Sequence, residues 1–306
     1  MYRGEREECG TPFPAIFDAA AHHRSTHPVY DRNDTMTLES APDSAPTPTT
    51  ALDIPLRPLR LRQLGEWLRL GVRDFLRAPA IGLFYGACFV AMGWALMSVF
   101  EHAPVYVLAL SAGFLLMGPF MCMGLYRVSQ QLERGDAPHF VDSLLAWRTR
   151  MGTLAIFGFA LLVLEMLWGR AALVVFAVSF DGMPDFKGSV LKVLALENLG
   201  FVVAYLGVGA LFAGLIYAVS VVAIPMILDR QTDAITAALT SLRLVLTQTF
   251  VLLCWGALIT TLVVLALLPW FLGLLVVGPV LGHATWHAYR AAVGELPTTP
   301  SLTPAA

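Results

Sequence analysis

An all-α, polytopic membrane fold with six transmembrane helices is what this sequence predicts, on three observations. The 306 residues are 57% hydrophobic and only 14% charged, with a mean hydropathy of +0.67. A soluble domain is about one quarter charged, so lipid is the expected solvent. Six long apolar runs each reach the roughly 20 residues needed to cross a hydrocarbon core. The arginines are distributed asymmetrically around those runs.

Residues 1–56 open the chain as a tail rich in Pro, Thr, Ser, Ala and Asp ("ESAPDSAPTPTTALD"), which has too little apolar surface to order itself. "MTLESAPDS" from Met36 reads like a bacterial start, so residues 1–35 are expected to come from an upstream gene-start assignment. No signal-peptide pattern opens the chain, and the first span is expected to do its own targeting.

From Leu59 to Arg77, "LRLRQLGEWLRLGVRDFLR" has helical spacing. Leu61, Leu64, Leu68, Val72 and Phe75 share one face, with Trp67 and Leu76 at its margins. Arg62, Glu66, Arg69, Arg73 and Arg77 lie opposite. Such a helix is expected to lie in the membrane interface as a surface anchor, its Arg62, Arg69, Arg73 and Arg77 facing anionic headgroups. Pro79 ends it.

The membrane domain, residues 57–293, then carries spans at about 80–100, 104–127, 152–179, 199–228, 246–268 and 270–290. "HAP" at 102–104 and "LPW" at 268–270 mark tight turns, which makes the last two spans an antiparallel hairpin. Residues 294–306 form a second tail. With the amino terminus inside, 17 of the 20 basic residues fall on the cytoplasmic side, leaving Arg170, Lys187 and Lys192 outside. The positive-inside rule therefore puts both termini in the cytoplasm.

A weak internal repeat accompanies the spans. "PHFVDSLLAWRTR" before the third span places Phe140, Leu144 and Trp147 on one face, and "DAITAALTSLR" before the fifth does so with Ile235, Leu239 and Leu242. "LLMGPFMCMGLYR" and "LVVGPVLGHATWHAYR" share a Gly-Pro step and a terminal Tyr-Arg. Three hairpin repeats are the architecture this suggests.

The strings "WLRLGVRDFLRAPAIGLFYG", "IPMILDRQTDAITAALTSLR" and "GPVLGHATWHAYR" resemble the bacterial integral membrane proteins grouped as domain of unknown function 2189, over about residues 57–293. The resemblance implies a bacterial inner-membrane location. It brings no activity, substrate or cofactor with it.

Several polar residues stand out at membrane depth. His283 and His287 are one turn apart on the sixth span, a spacing used by helical metal and haem sites. "HATWH" lacks the glutamate of a metalloprotease pair. His287 is expected in an interfacial belt with Trp286 and Tyr289, while His283, about 10 Å deeper than Arg290, needs a polar partner. Cys88, Cys122, Cys254 and His283 fall at similar depths, which makes them a soft-metal candidate set. The competing reading is helix packing by small residues. Glu165 is the acidic residue clearly inside a span; it is expected to face the bundle interior, protonated or paired across helices, with proton or cation coupling the functional alternative. "LDRQTDA" offers Asp229, Arg230 and Asp233 for a latch with Arg290 or His287, with Asp233 also a good N-cap. Gly207, Gly209 and Gly214 are expected to let helices approach closely.

The net charge of −2 excludes a nucleic-acid footprint, and there is no phosphate loop or nucleophile elbow. The expectation is a non-enzymatic membrane interaction or assembly component without cofactor, partnered by lipid and by a membrane protein or a second copy. A small-solute or ion transporter using Glu165 is the alternative, and a metal- or haem-binding redox component the third reading.

Overall fold

The computed structural model describes residues 50–102, 107–179 and 199–294, apart from a few side chains near the start of the second span. The expected start artefact, most of both tails and the segment Asp181–Asn198 lie outside the described residues. The described chain is helical: α1 (Arg62–Arg77), α2 (Pro79–His102), α3 (Val107–Arg134), α4 (Phe140–Leu144), α5 (Met151–Ser179), α6 (Leu199–Ser220), α7 (Ala223–Arg230), α8 (Ala234–Thr247), α9 (Thr249–Leu267) and α10 (Leu274–Ala292).

Among the described residues, four helical stretches are long and apolar enough to cross a membrane: Pro79–His102, Phe140–Ser179, Leu199–Arg230 and Thr249–Leu267. The two remaining expected spans form helices of 28 residues (α3) and 19 residues (α10). Both helices carry the polar groups that knit one end of the molecule together, and α10 is less uniformly apolar for that reason.

Breaks in the helices follow from local chemistry. Pro225 cannot donate to Val221, and the chain turns at Val221–Val222 between α6 and α7. Ser241 of α8 repairs the gap, donating to the Ala218 carbonyl (2.8 Å) and accepting from the Val222 amide (3.4 Å). Asp233 caps α8 by accepting from the Thr236 amide at 2.9 Å. The α1–α2 and α8–α9 junctions share one geometry. Ala78 (φ −131°, ψ 56°) donates to the Asp74 carbonyl, and Gln248 (φ −130°, ψ 41°) donates to the Leu244 carbonyl.

α10 is the axle of the bundle and touches α1, α2, α3, α7 and α9. Its residues Pro279–Ala284, Trp286, Ala288, Tyr289 and Ala292 are buried. Close approach is set by glycines of its neighbours. A Cβ on Gly71 of α1 would lie 2.6 Å from the Val280 carbonyl oxygen and 2.8 Å from the Ala284 nitrogen. A Cβ on Gly86 of α2 would collide with the Leu275 carbonyl. At the α9–α10 turn, Trp270 (φ 51°) and Phe271 (φ 66°) take the left-handed region, and the Trp270 carbonyl accepts from Trp94 Nε1 at 3.0 Å.

Four expectations are corrected. α1 is more than a surface anchor: Trp67, Gly71, Asp74 and Phe75 are buried, which takes Phe75 out of its expected membrane face, while Leu61, Val72 and Leu76 of that face remain exposed. Trp67 packs edge-on against Trp255 with centroids 5.4 Å apart. The tail does not run to residue 56. Residues 50–59 strap across the bundle end, where Arg243 donates to the carbonyls of Ala51 and Ile54, Gln248 bonds to Leu59 and Arg57, and Leu56 pairs with Val293. The glycines Gly207 and Gly214 of α6 face open space, and Gly209 meets only Trp168 Nε1 at 3.6 Å. Finally, Trp286 and Tyr289 form no interfacial belt, because they are 1% and 0% exposed.

Outward stripes nonetheless recur on the short helices. Phe140, Leu144 and Trp147 around α4, and Ile235 and Leu239 on α8, are exposed beside arginines. Their apolar faces point away from the bundle, as interfacial helices require.

Candidate functional site

The polar residues converge where α1, α3, α7 and α10 meet at the arginine-rich end. α3 brings them because its apolar run gives way to "SQQLER", residues 129–134, while the helix continues. Ser129 lies one turn after Leu125, which packs against Gly282 of α10, so its hydroxyl reaches the same helix.

Two connected clusters result. In the first, Ser129 Oγ lies 2.8 Å from His283 Nδ1, and His287 Nε2 lies 2.8 Å from Asp74 Oδ2. Asp74, Ser129 and His283 are all buried, at 1%, 0% and 0% exposure. Burial works to raise the Asp74 carboxyl. The hydrogen bonds from His287 and Ser129 and the charges of the two histidines outweigh it, and Asp74 is held below the usual carboxylate range. Arg73 Nε adds a longer contact of 3.8 Å to Asp74 Oδ1.

The second cluster centres on Asp229. Its Oδ1 accepts from Gln130 Nε2 (2.9 Å) and its Oδ2 from the Tyr289 hydroxyl (2.8 Å), with Arg290 Nη1 at 3.5 Å. Arg290 Nε and Trp286 Nε1 both donate to Glu133, each at 3.0 Å. Arg230 donates to the Tyr289 hydroxyl and to the carbonyls of Val293 and Gly294.

The sequence-predicted residues divide accordingly. Asp229, Arg230 and Arg290 come together, whereas Asp233 only caps α8. His287 pairs with Asp74 and not with Asp229. The two histidines therefore face separate partners on different helices, so each pins α10 to a neighbour. Cys88, Cys122 and Cys254 are free thiols. Among the described residues no group of three or more His, Cys, Asp or Glu could hold a metal ion, so the four-residue layer is not assembled. Glu165, on the buried face of α5 with Leu154, Phe157, Gly158 and Leu161, is 8% exposed, and its Oε1 has no hydrogen-bond partner among the described residues. Arg170 is exposed and makes no ion pair with it among the described residues. Leu161, one turn before Glu165, helps line a small apolar cavity with Phe120, Met123 and Ile224.

Sequence reasoning missed Asp74, Ser129, Gln130 and Glu133, and gave Tyr289 an interfacial place in lieu of its bonds to Asp229 and Arg230. Asp74 was detectable: Trp67, Gly71, Asp74 and Ala78 recur at i, i+4, i+7 and i+11, a stripe that competes with the arginine-opposed one. Gln130 and Glu133 resemble ordinary solvated residues at a helix end and leave no such trace.

The family described as "Predicted integral membrane protein (DUF2189)" matches residues 107–229, which span α3 to α7. The family resemblance holds over that region, while "GPVLGHATWHAYR" lies beyond it. No curated protein and no solved structure matches the chain.

Proposed function

Starting from an integral membrane protein that carries the DUF2189 region, we propose a six-span protein of the bacterial inner membrane with both termini cytoplasmic, acting as a non-enzymatic interaction or assembly component. The topology is supported by arginines gathered at one end and by six helices of 19 residues or more among the described residues. Three hairpin units are supported by the matching junctions at Ala78 and Gln248, each following an amphipathic helix. Arg62, Arg69, Arg73 and Arg77, all exposed beside Leu61, Val72 and Leu76, suit anionic headgroups.

The observation that carries the assembly reading is the outer face of α6. Gly200, Gly207 and Gly214 recur every seven residues, and a Cβ at any of them would meet nothing within 4 Å. In lipid, where apolar burial gives helices no net attraction, such small-residue faces let a second helix approach closely. A photo-crosslinking residue at Leu211, exposed on this face, tests the reading in native membranes. A discrete adduct with a second copy or one membrane protein is expected. Lipid adducts alone contradict it.

Glu165 supports the alternative, a proton- or cation-coupled transporter, because its buried carboxyl has an oxygen without a partner among the described residues. Ion or proton flux in proteoliposomes that is lost in Glu165→Gln would favour it over assembly.

A further inference from the structure

Two neighbours of α10 have a fixed register against it, and both reach further from the arginine-rich end than the turn that precedes it. On α2, Gly86 faces the Leu275 backbone and Gly93 faces the Phe271 ring, so these helices run antiparallel. On α3, Leu125 packs on Gly282, Ser129 bonds to His283, and Glu133 bonds to Trp286 and Arg290, so these run parallel. The α9–α10 turn comes level with Trp94 of α2, whose Nε1 donates to the Trp270 carbonyl at 3.0 Å. A helical side chain leans toward its own N-terminus, so the turn stands no further out than Trp94. α2 continues from Trp94 to His102, about 12 Å further at 1.5 Å per residue. α3 agrees: Val107 is about 27 Å beyond Leu125, whereas Trp270 is about 18 Å beyond Gly282. That apolar arm of about 18 Å falls well short of a hydrocarbon core of about 30 Å. α9 has the length of a span, but the short turn ties its outer end to the level of Trp94.

The chemistry of the turn matches its depth. From Leu262 to Gly282 no side chain is charged or carries a hydroxyl or an amide, whereas a loop that emerges into water is ordinarily polar. Leu268, Trp270 and Leu272 at the tip are exposed. The overshooting part of α2 is itself apolar apart from Ser98 up to the exposed Phe100, and reaches charge only at Glu101, so hydrocarbon continues past the turn. The two left-handed positions hold Trp270 and Phe271, where a loop in water would favour Gly, Asn or Asp. Backbone groups of the turn bond within the protein: the Phe271 amide to the Leu267 carbonyl (3.1 Å), Leu272 to Pro269 (3.0 Å) and Leu274 to Phe271 (2.9 Å). Pro269 brings no donor, and the Trp270 carbonyl takes the Trp94 indole. Hydrocarbon demands such internal pairing of a backbone.

We propose that α9 and α10 form a re-entrant hairpin. It rises from the arginine-rich side and turns back inside the hydrocarbon of the far leaflet, with Leu268, Trp270 and Leu272 against lipid acyl chains. The inference rests on the membrane reading of the six long helices above and keeps both termini on one side. It moves only the last turn, from the far surface to about 10 Å beneath it.

The test is spin-label collision spectroscopy on the full chain in liposomes of phosphatidylethanolamine and phosphatidylglycerol. Cys9, Cys88, Cys122 and Cys254 are replaced by alanine, and a single label is placed at Leu268→Cys or, as the reference, at Glu101→Cys. Oxygen concentrates in hydrocarbon and a nickel chelate in water. A re-entrant turn predicts a Leu268 label open to oxygen, closed to the chelate and about 10 Å deeper than the Glu101 label, which the chelate reaches. Leu272→Cys is expected to repeat this, and stands in if Leu268→Cys does not fold. Equal access of the chelate to both sites puts the turn at the far surface and overturns the proposal. A tip label closed to both reagents means that protein, in place of lipid, covers the tip, and overturns it as well. A Glu101 label closed to the chelate breaks the membrane reading of α2 itself, a failure distinct from that of the turn.

Discussion

α6 and α10 are both predicted spans, yet they sit in opposite environments. α6, the more apolar of the two, has a single buried residue, Ala218, with Val203, Leu206 and Leu211 more than 60% exposed. α10 carries two histidines, a tryptophan, a tyrosine and an arginine, and is buried along most of its length. In water this order would be inverted. In lipid the apolar helix loses nothing by facing outward, while each polar group on α10 must find a partner among its neighbours. Between these two helices, polarity and not hydrophobicity marks the buried one.

Glycine substitutions separate the two helices most sharply. Gly86→Ala drives a methyl into the Leu275 carbonyl on α10 and is expected to cost about 2–3 kcal/mol in detergent unfolding. Gly71→Ala, against Val280 and Ala284, should approach that. Gly207→Ala on α6 should stay within about 0.5 kcal/mol of the parent, since nothing lies within 4 Å. Equal costs at both sites would erase the contrast.

Tyr289→Phe removes the hydroxyl that donates to Asp229 and accepts from Arg230, and should cost about 1–2 kcal/mol in the same assay. Acid should act through Asp74. Its carboxyl is held below the usual range in the folded protein, so its contribution is full at neutral pH and is lost as pH falls through that lowered value. Asp74→Asn should flatten this acid limb of a stability-against-pH curve. Among the polar substitutions the smallest effect belongs to Glu133→Gln, because the Glu133–Arg290 pair is about one third exposed on each side, and a change of roughly 0–1 kcal/mol is expected.

The four stretches long and apolar enough to span were legible in the sequence, because apolar length is a local property. Pro79, Met151 and Leu267 bound helices within a residue of their expected limits. Which side of α1 packs inward was not legible. The face of α1 was read from its leucines, but Gly71 and Asp74 decide which side meets α10, and a leucine serves equally well against lipid. For the same reason the α6 glycines suggested packing that the described residues do not provide. "GPVLGHATWHAYR" reads as an interfacial helix end when α10 is considered alone. It becomes the core once Ser129, Asp74 and Glu133 arrive from other helices, and pairings so distant along the chain leave no spacing signal.

The most direct measurement is a double-mutant cycle between Asp74 and His287. Asp74→Asn, His287→Gln and the double variant would be unfolded in detergent at neutral pH. If buried polar pairs hold the bundle together, the coupling should be about 2 kcal/mol, with the second substitution costing little after the first. Additive losses, with no coupling, would contradict that account and return α10 to packing by shape alone.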